Sequence, residues 1–109
     1  MKPSKVRKIL RAARVFLADP AHWCQHKMAV DENGAFTVPQ KAAKCCALGA
    51  IRRYTPYTVR EVLLAETELQ FTLGLRNMRL AVATFNDTHT HGEVLQMFDD
   101  TIARLEKRT

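Results

Sequence analysis

The sequence predicts a mainly α-helical fold, with four to five helices packed as a single compact domain over residues 1–109. Apolar residues recur at spacings of three and four along most of the chain, which is typical of amphipathic helices. Two Thr-x-x-Glu segments stand directly before apolar stretches, and such capping boxes mark helix starts. A chain of 109 residues can also bury a core without a metal or a disulfide.

The first helix is predicted over residues 4–18, with Ser4 as its N-cap. It ends at Asp19-Pro20, because the residue before a proline avoids helical geometry. Its apolar side chains fall on one face and its basic side chains on the other. The apolar face consists of Val6, Ile9, Leu10, Ala13, Phe16 and Leu17.

Residues 21–38 lack helical periodicity. The segment Asp31-Glu32-Asn33-Gly34 is typical of a tight turn, so the pattern allows a short β-hairpin near 28–38 or an ordered loop. A second helix is predicted from Pro39 to Arg53, since proline suits a first helical position. Gly49 lies inside this helix, where glycine is unfavourable, and we expect a close helix crossing at that point.

Three further helices complete the prediction. The third begins at the capping box Thr58-Val59-Arg60-Glu61 and runs towards Gly74. Asn77 is predicted to cap a shorter fourth helix that ends at Phe85. The fifth begins at a second capping box, Thr90-His91-Gly92-Glu93, and continues to the polar end of the sequence.

The net charge of +6 is concentrated near the N-terminus. Residues 1–19 contain six Lys or Arg residues against one Asp, which leaves the rest of the chain nearly balanced. Such a basic helix is a candidate contact surface for phosphate groups or an acidic partner, although a solvated face is the simpler interpretation. The residues predicted to contact nucleic acid are Lys5, Arg7, Lys8, Arg11 and Arg14.

The composition also bears on the compartment. No apolar run approaches the roughly 18 residues that span a bilayer, so no membrane association is expected. Three cysteines, two of them adjacent, do not resemble a secreted disulfide framework. We therefore expect a reduced, cytoplasmic protein.

The chain contains candidate metal ligands, but their spacing is wrong for a known metal motif. His89 and His91 follow Asp87, yet neither HExxH nor CxxC occurs. No metal and no cofactor are therefore predicted, and the histidines are expected to be exposed on loops. Cys46 is predicted to be a small packed residue about two turns inside the second helix, and no catalytic residue is assigned.

A polar cluster is the remaining candidate site. Short polar side chains before a helix commonly bond to nearby backbone amides and fix a turn. The same residues could instead converge on a pocket, and the sequence leaves both interpretations open. The candidates are Trp23, Asp31, Asn86 and Asp87.

Several blocks resemble an uncharacterised family of small bacterial and phage proteins, a domain of unknown function. They are Trp23, Gln25, Ala29, Asp31 and Gly34, then Cys46-Ala47-Leu48-Gly49-Ala50, then Phe85-Asn86-Asp87 with Thr90, Glu93-Val94-Leu95, Phe98-Asp99 and Ile102. The resemblance implies a small helical domain and supplies no activity, substrate or cofactor.

Three functions follow as hypotheses. The leading one is a cytoplasmic, non-enzymatic module that binds a protein partner in a phage or mobile-element setting. The alternative is an accessory protein that binds nucleic acid through its basic first helix. The third is a small metal-dependent enzyme built on Asp87, His89 and His91. Homodimerisation stays open, because the small residues of the second helix suit either a dimer contact or internal packing.

Overall fold

A computed structural model of the chain describes residues 3–53 and 59–107. Over these residues the backbone forms five α-helices, two short 3-10 turns and one antiparallel sheet, which confirms the mainly helical fold with a small β element. The helices are α1 (Pro3–Ala18), α2 (Ala47–Arg52), α3 (Val59–Leu75), α4 (Val82–Thr88) and α5 (His91–Glu106). The strands are β1 (Ala29–Val30) and β2 (Lys44–Cys45), and the 3-10 turns are Pro20–His22 and Pro39–Lys41.

Helix α1 packs against α2, α3 and α5 and supplies much of the core. Its buried side chains lie on the predicted apolar face, and Phe16 packs at the edge of that face. The helix ends where Asp19 and Pro20 predict. The Asp19 carboxylate accepts a hydrogen bond of 2.9 Å from the Ala21 amide and caps the 3-10 turn that follows.

The tight turn after β1 forms as predicted. Asp31 Oδ1 accepts hydrogen bonds from the backbone amides of Asn33 (2.9 Å) and Ala35 (3.0 Å). One antiparallel bridge joins Val30 to Phe36 across the turn. The Asp31 amide donates to the Ala35 carbonyl (2.8 Å) and the Thr37 amide to the Ala29 carbonyl (3.3 Å), so a minimal hairpin forms near 28–38. The strand that pairs with β1 in the sheet is β2.

The prediction of one helix from Pro39 to Arg53 is wrong. A 3-10 turn, strand β2 and then α2, which begins only at Ala47, occupy that range. Strand β2 pairs antiparallel with β1, with Ala29 opposite Cys45. The backbone groups of β1 need partners, and pairing with a distant segment outweighs the local helical preference of residues 39–46.

Gly49 marks a close approach of α2 to a strand segment and not to another helix. A Cβ atom at this position would lie 2.1 Å from the carbonyl oxygen of Met28. The same carbonyl accepts a hydrogen bond of 3.1 Å from the Cys46 amide. The small residues of α2 therefore serve internal packing.

Asn77 ends α3, which corrects the prediction that it caps the fourth helix. Its φ of +59° places it in the left-handed region. The Asn77 amide donates to the Gly74 carbonyl (3.0 Å) and the Met78 amide to the Leu73 carbonyl (2.9 Å). This pair of bonds is the Schellman pattern of a helix C-terminus. The short helix α4 begins after Ala81.

The capping box of α5 is confirmed. Thr90 Oγ1 accepts a hydrogen bond from the Glu93 amide (3.1 Å), and Glu93 Oε1 accepts one from the Thr90 amide (2.8 Å). The capping box predicted at Thr58 lies outside the described residues. Helix α5 packs on α1 and α3, and the buried hydroxyls of Thr72 and Thr101 bond to each other between α3 and α5. Among the described helices, none combines the length and apolarity needed to cross a membrane.

Candidate functional site

Asn86 is fully buried at the junction of three segments that lie far apart in the sequence. Its Oδ1 accepts hydrogen bonds from Trp23 Nε1 (2.8 Å) and the Ala47 amide (3.0 Å). Its Nδ2 donates to the Cys24 carbonyl (3.0 Å) and to Asp87 Oδ1 (3.2 Å). Both donors and both acceptor positions of the amide are used, so Asn86 has no bonding capacity left for a ligand.

Asp87 and Gln25 extend these contacts. Asp87 Oδ1 accepts a hydrogen bond of 2.7 Å from the His26 amide. Gln25 Nε2 donates to the carbonyls of Asn86 and His89, both at 3.1 Å. We call Trp23, Gln25, Asn86, Asp87 and their backbone partners the Asn86 lock, because they fasten the loop before β1 to α2 and α4.

The structure brings together three of the four residues of the predicted polar cluster. Trp23, Asn86 and Asp87 belong to the lock, whereas Asp31 bonds within its own turn. Gln25 was not among the site residues predicted from the sequence, although it lies in one of the blocks that carry the family resemblance. Its side chain reaches across 61 residues to the Asn86 carbonyl, and local patterns do not show such a contact.

A small cavity of about 160 Å³ adjoins the lock. Cys46 lies on its wall as the residue directly before α2, so its predicted place two turns inside a helix is wrong. Burial raises the pKa of the Cys46 thiol, although the backbone amides of Gly49 and Leu48 act in the opposite direction. The thiol is therefore protonated near neutral pH and is not an activated nucleophile. The cavity is lined by His26, Lys27, Met28, Cys46, Leu48, Ala83 and Asp87.

Three of the four histidines bond to backbone carbonyls, so the expectation of exposed loop histidines is wrong for these three. His22 Nδ1 donates to the Phe16 carbonyl (2.8 Å) and His91 Nε2 to the Leu17 carbonyl (2.6 Å), both in the last turn of α1. His89 stacks on the Phe85 ring, with its Nδ1 3.0 Å from the Phe85 carbonyl. Among the described residues, no group of three or more His, Cys, Asp or Glu side chains could hold a metal ion.

The basic side chains of α1 are largely engaged in ion pairs with acidic residues of the same chain. Arg14 forms a bidentate pair with Asp99, at 2.9 and 3.1 Å. Lys5 lies 3.5 Å from Glu61, and Arg11 pairs with Glu106. Of the other two residues of the predicted nucleic-acid surface, Arg7 is partly buried and Lys8 is exposed. The charges of α1 thus mainly join it to α3 and α5.

The outer face of α3 is the largest exposed apolar feature of any described helix. Four of its large apolar side chains are about half exposed or more: Val59 (75%), Leu63 (50%), Phe71 (49%) and Leu75 (61%). Thr67 and Gly74 are exposed between them. We define the outer face of α3 by its exposed residues, which are Val59, Arg60, Leu63, Thr67, Gln70, Phe71, Gly74 and Leu75.

A hollow of about 430 Å³ lies beside this face. Leu63, Thr67 and Gln70 form one wall, and α2 and α4 supply the remaining apolar walls. Sequence reasoning missed this site, although a signal was present. Residues 59–75 contain more large apolar residues than one buried helix face requires, and the excess lies outside. The other lining residues are Leu48, Glu66, Ala81, Val82 and Ala83.

Comparison with known proteins yields one match. The model of a family described as a family of unknown function (DUF6197) matches residues 1–104. No curated protein matches the chain, and no solved structure does.

Proposed function

We propose that this chain, which belongs to the family of unknown function DUF6197, is a non-enzymatic module that binds protein through the outer face of α3. The observation that carries the proposal is the exposure of Val59, Leu63, Phe71 and Leu75 on one helix. Contiguous exposed apolar side chains mark interaction sites in proteins that are otherwise well packed. The adjoining hollow offers a recess into which a side chain of a partner protein can insert.

The remaining polar groups support a binding role better than a catalytic one. Every hydrogen-bonding position of Asn86 is occupied within the chain, and burial keeps the Cys46 thiol protonated. A general base or nucleophile needs a partner within hydrogen-bonding reach and an open site. The Asn86 lock thus serves to hold the scaffold that presents α3.

Contact with nucleic acid through α1 gains no support from the structure. The pairs Arg14–Asp99, Lys5–Glu61 and Arg11–Glu106 reduce the number of cations that could neutralise phosphates. We further propose a cytoplasmic setting in a phage or mobile element. The free thiols of Cys24, Cys45 and Cys46 suit a reducing compartment.

Site-specific photo-crosslinking in living host cells tests the proposal. The photoreactive residue p-benzoylphenylalanine is placed at Phe71, and in the matched control it replaces Val15, a highly exposed residue of α1. We expect a discrete protein adduct from position 71 and none from position 15. Mass spectrometry of the adduct then identifies the bound chain. If position 71 gives no protein adduct, or no more than position 15, the proposed function fails.

A further inference from the structure

The residues on the outer face of α3 are arranged almost symmetrically about Thr67, so the order of their positions is similar in both chain directions. Six of its eight residues form three pairs that are equidistant from Thr67, which is itself the seventh residue of the face. The fourth neighbours on either side are Leu63 and Phe71, and the eighth are Val59 and Leu75. The seventh neighbours are Arg60 and Gly74, one long and one lacking a side chain. The eighth residue of the face, Gln70, already bonds to the Leu80 carbonyl (2.6 Å) and the Val82 amide (3.1 Å).

This pattern is what an antiparallel contact about a two-fold axis requires. In such an interface residue i of one copy meets residue j of the other, and j meets i. An axis through Thr67 would place Leu63 opposite the second copy's Phe71 at two equivalent positions. Thr67, a small residue at the proposed crossing point, lies between the larger apolar side chains of Leu63 and Phe71, and packed helices approach to interaxial distances of about 8–10 Å.

We propose that the outer face of α3 is a homodimer interface, formed by two antiparallel α3 helices that cross at Thr67. This inference rests on the proposed function, since it names the protein that the face binds. A second copy is preferred as the occupant because the same residues supply both sides of every predicted contact.

The shape of the face agrees with this arrangement. At Gly74, a helical position where alanine would be more favourable, a Cβ atom would meet nothing within 4 Å. The side chain of Arg60 from the second copy fits this space, and its charge lies near the C-terminal end of α3, where cations are stabilising. The Phe71 ring of the second copy lies next to Leu63, at the mouth of the 430 Å³ hollow.

The net charge of the chain determines how dimerisation should depend on salt. Each copy carries a formal charge of +6, so two copies repel each other at low ionic strength. Because the proposed contact is mainly apolar, salt should screen the repulsion and leave the attraction in place. A dimer held by this face therefore dissociates less, and not more, when the salt concentration rises.

Sedimentation equilibrium of the full chain gives the first test. We expect a concentration-dependent increase from 12.4 kDa to twice that mass, with tighter association at higher salt. Leu63→Asp should weaken the association at least tenfold, since it places a carboxylate opposite Phe71. The matched control is Ala103→Asp, at an exposed position of α5, and it should leave the association unchanged. Circular dichroism checks that both variants fold.

Thr67→Cys tests the axis directly, because a residue on a two-fold axis meets its own copy. Oxidation with copper phenanthroline should link most of this variant as a dimer, whereas Ala103→Cys and the unmodified chain should stay unlinked. A constant mass of 12.4 kDa at all concentrations overturns the homodimer, as does equal crosslinking of the two cysteine variants. If position 71 photo-crosslinks to a different protein while the chain stays monomeric, only the homodimer fails. If no adduct forms either, the proposed function fails as well.

Discussion

Replacing Gly49 by alanine tests how closely α2 approaches the strand segment. The new Cβ would lie 2.1 Å from the Met28 carbonyl oxygen and 3.2 Å from Cys45 Cβ. Ordinary contact begins near 3.4 Å, so the Met28 carbonyl must move by more than 1 Å. That movement breaks its hydrogen bond with the Cys46 amide, which lies at the start of α2.

The net effect can be worked out from three terms. Overpacking costs about 1–3 kcal/mol, and losing the hydrogen bond costs about 1 kcal/mol. Alanine offsets about 1 kcal/mol, because it is the better helix former. We therefore expect Gly49→Ala to lower the free energy of unfolding by about 2 kcal/mol, which corresponds to a decrease in Tm of roughly 10 °C.

Urea and thermal denaturation measure this loss, followed by circular dichroism and by the fluorescence of Trp23, the one tryptophan of the chain. Gly92→Ala is the matched control, since a Cβ at that position of α5 would meet nothing within 4 Å. It should leave the stability unchanged or raise it by up to about 1 kcal/mol. A Gly49→Ala variant as stable as the Gly92→Ala variant would refute the close approach.

Three further predictions concern single side chains. Asn86→Ala should lower the free energy of unfolding in urea by about 3 kcal/mol, because it leaves the Ala47 amide and the Cys24 carbonyl without their partner. A loss below about 1 kcal/mol would show that the Asn86 lock contributes little to stability. The hydrogen bond from the Thr90 amide to the Glu93 carboxylate holds the pKa of Glu93 below its usual value of 4.5. The ionised carboxylate therefore stabilises the fold fully above the unfolded pKa of 4.5, and this stabilisation disappears as the pH falls through the lower folded pKa. Glu93→Gln can keep the capping box, so it should reduce the acid sensitivity of the chain in circular dichroism, and an unchanged pH profile counts against this assignment. Burial, followed by the proximity of Cys46, raises the pKa of the Cys24 thiol to about 11, so alkylation at pH 7 should be roughly 100-fold slower in the native chain than in urea; equal rates would show an accessible thiolate.

Local patterns predicted the parts of the fold that local forces determine. The C-terminal end of α1, the turn at Asp31 and the capping box at Thr90 depend on residues within four positions of each other. Strand β2 could not be predicted in this way, because its partner β1 lies about 15 residues away and the intervening small residues favour a helix locally. Asn77 was assigned to the wrong helix because asparagine suits both a helix start and a left-handed helix end.

In the candidate site, too, local features could be predicted from the sequence and long-range contacts could not. Asn86 and Asp87 stood out as polar residues before a helix start, but their partners Trp23 and His26 lie about 60 residues away. No spacing rule connects such positions. The outer face of α3 was visible in principle as an excess of apolar residues, but no role was assigned to Val59, Phe71 or Leu75, which are exposed.

The position of Asn86 also has a consequence for the order of folding. Its hydrogen bonds join the segments at Trp23, Ala47 and Asn86, so three distant parts of the chain must be in place before all of them exist. Closing two long loops is entropically costly, whereas α1, α3 and α5 can form from local contacts. We therefore expect the bonds of Asn86 to be absent from the transition state, and mutations there to speed unfolding much more than they slow folding. Trp23 fluorescence would then report the last step to the native state, after the helices have assembled.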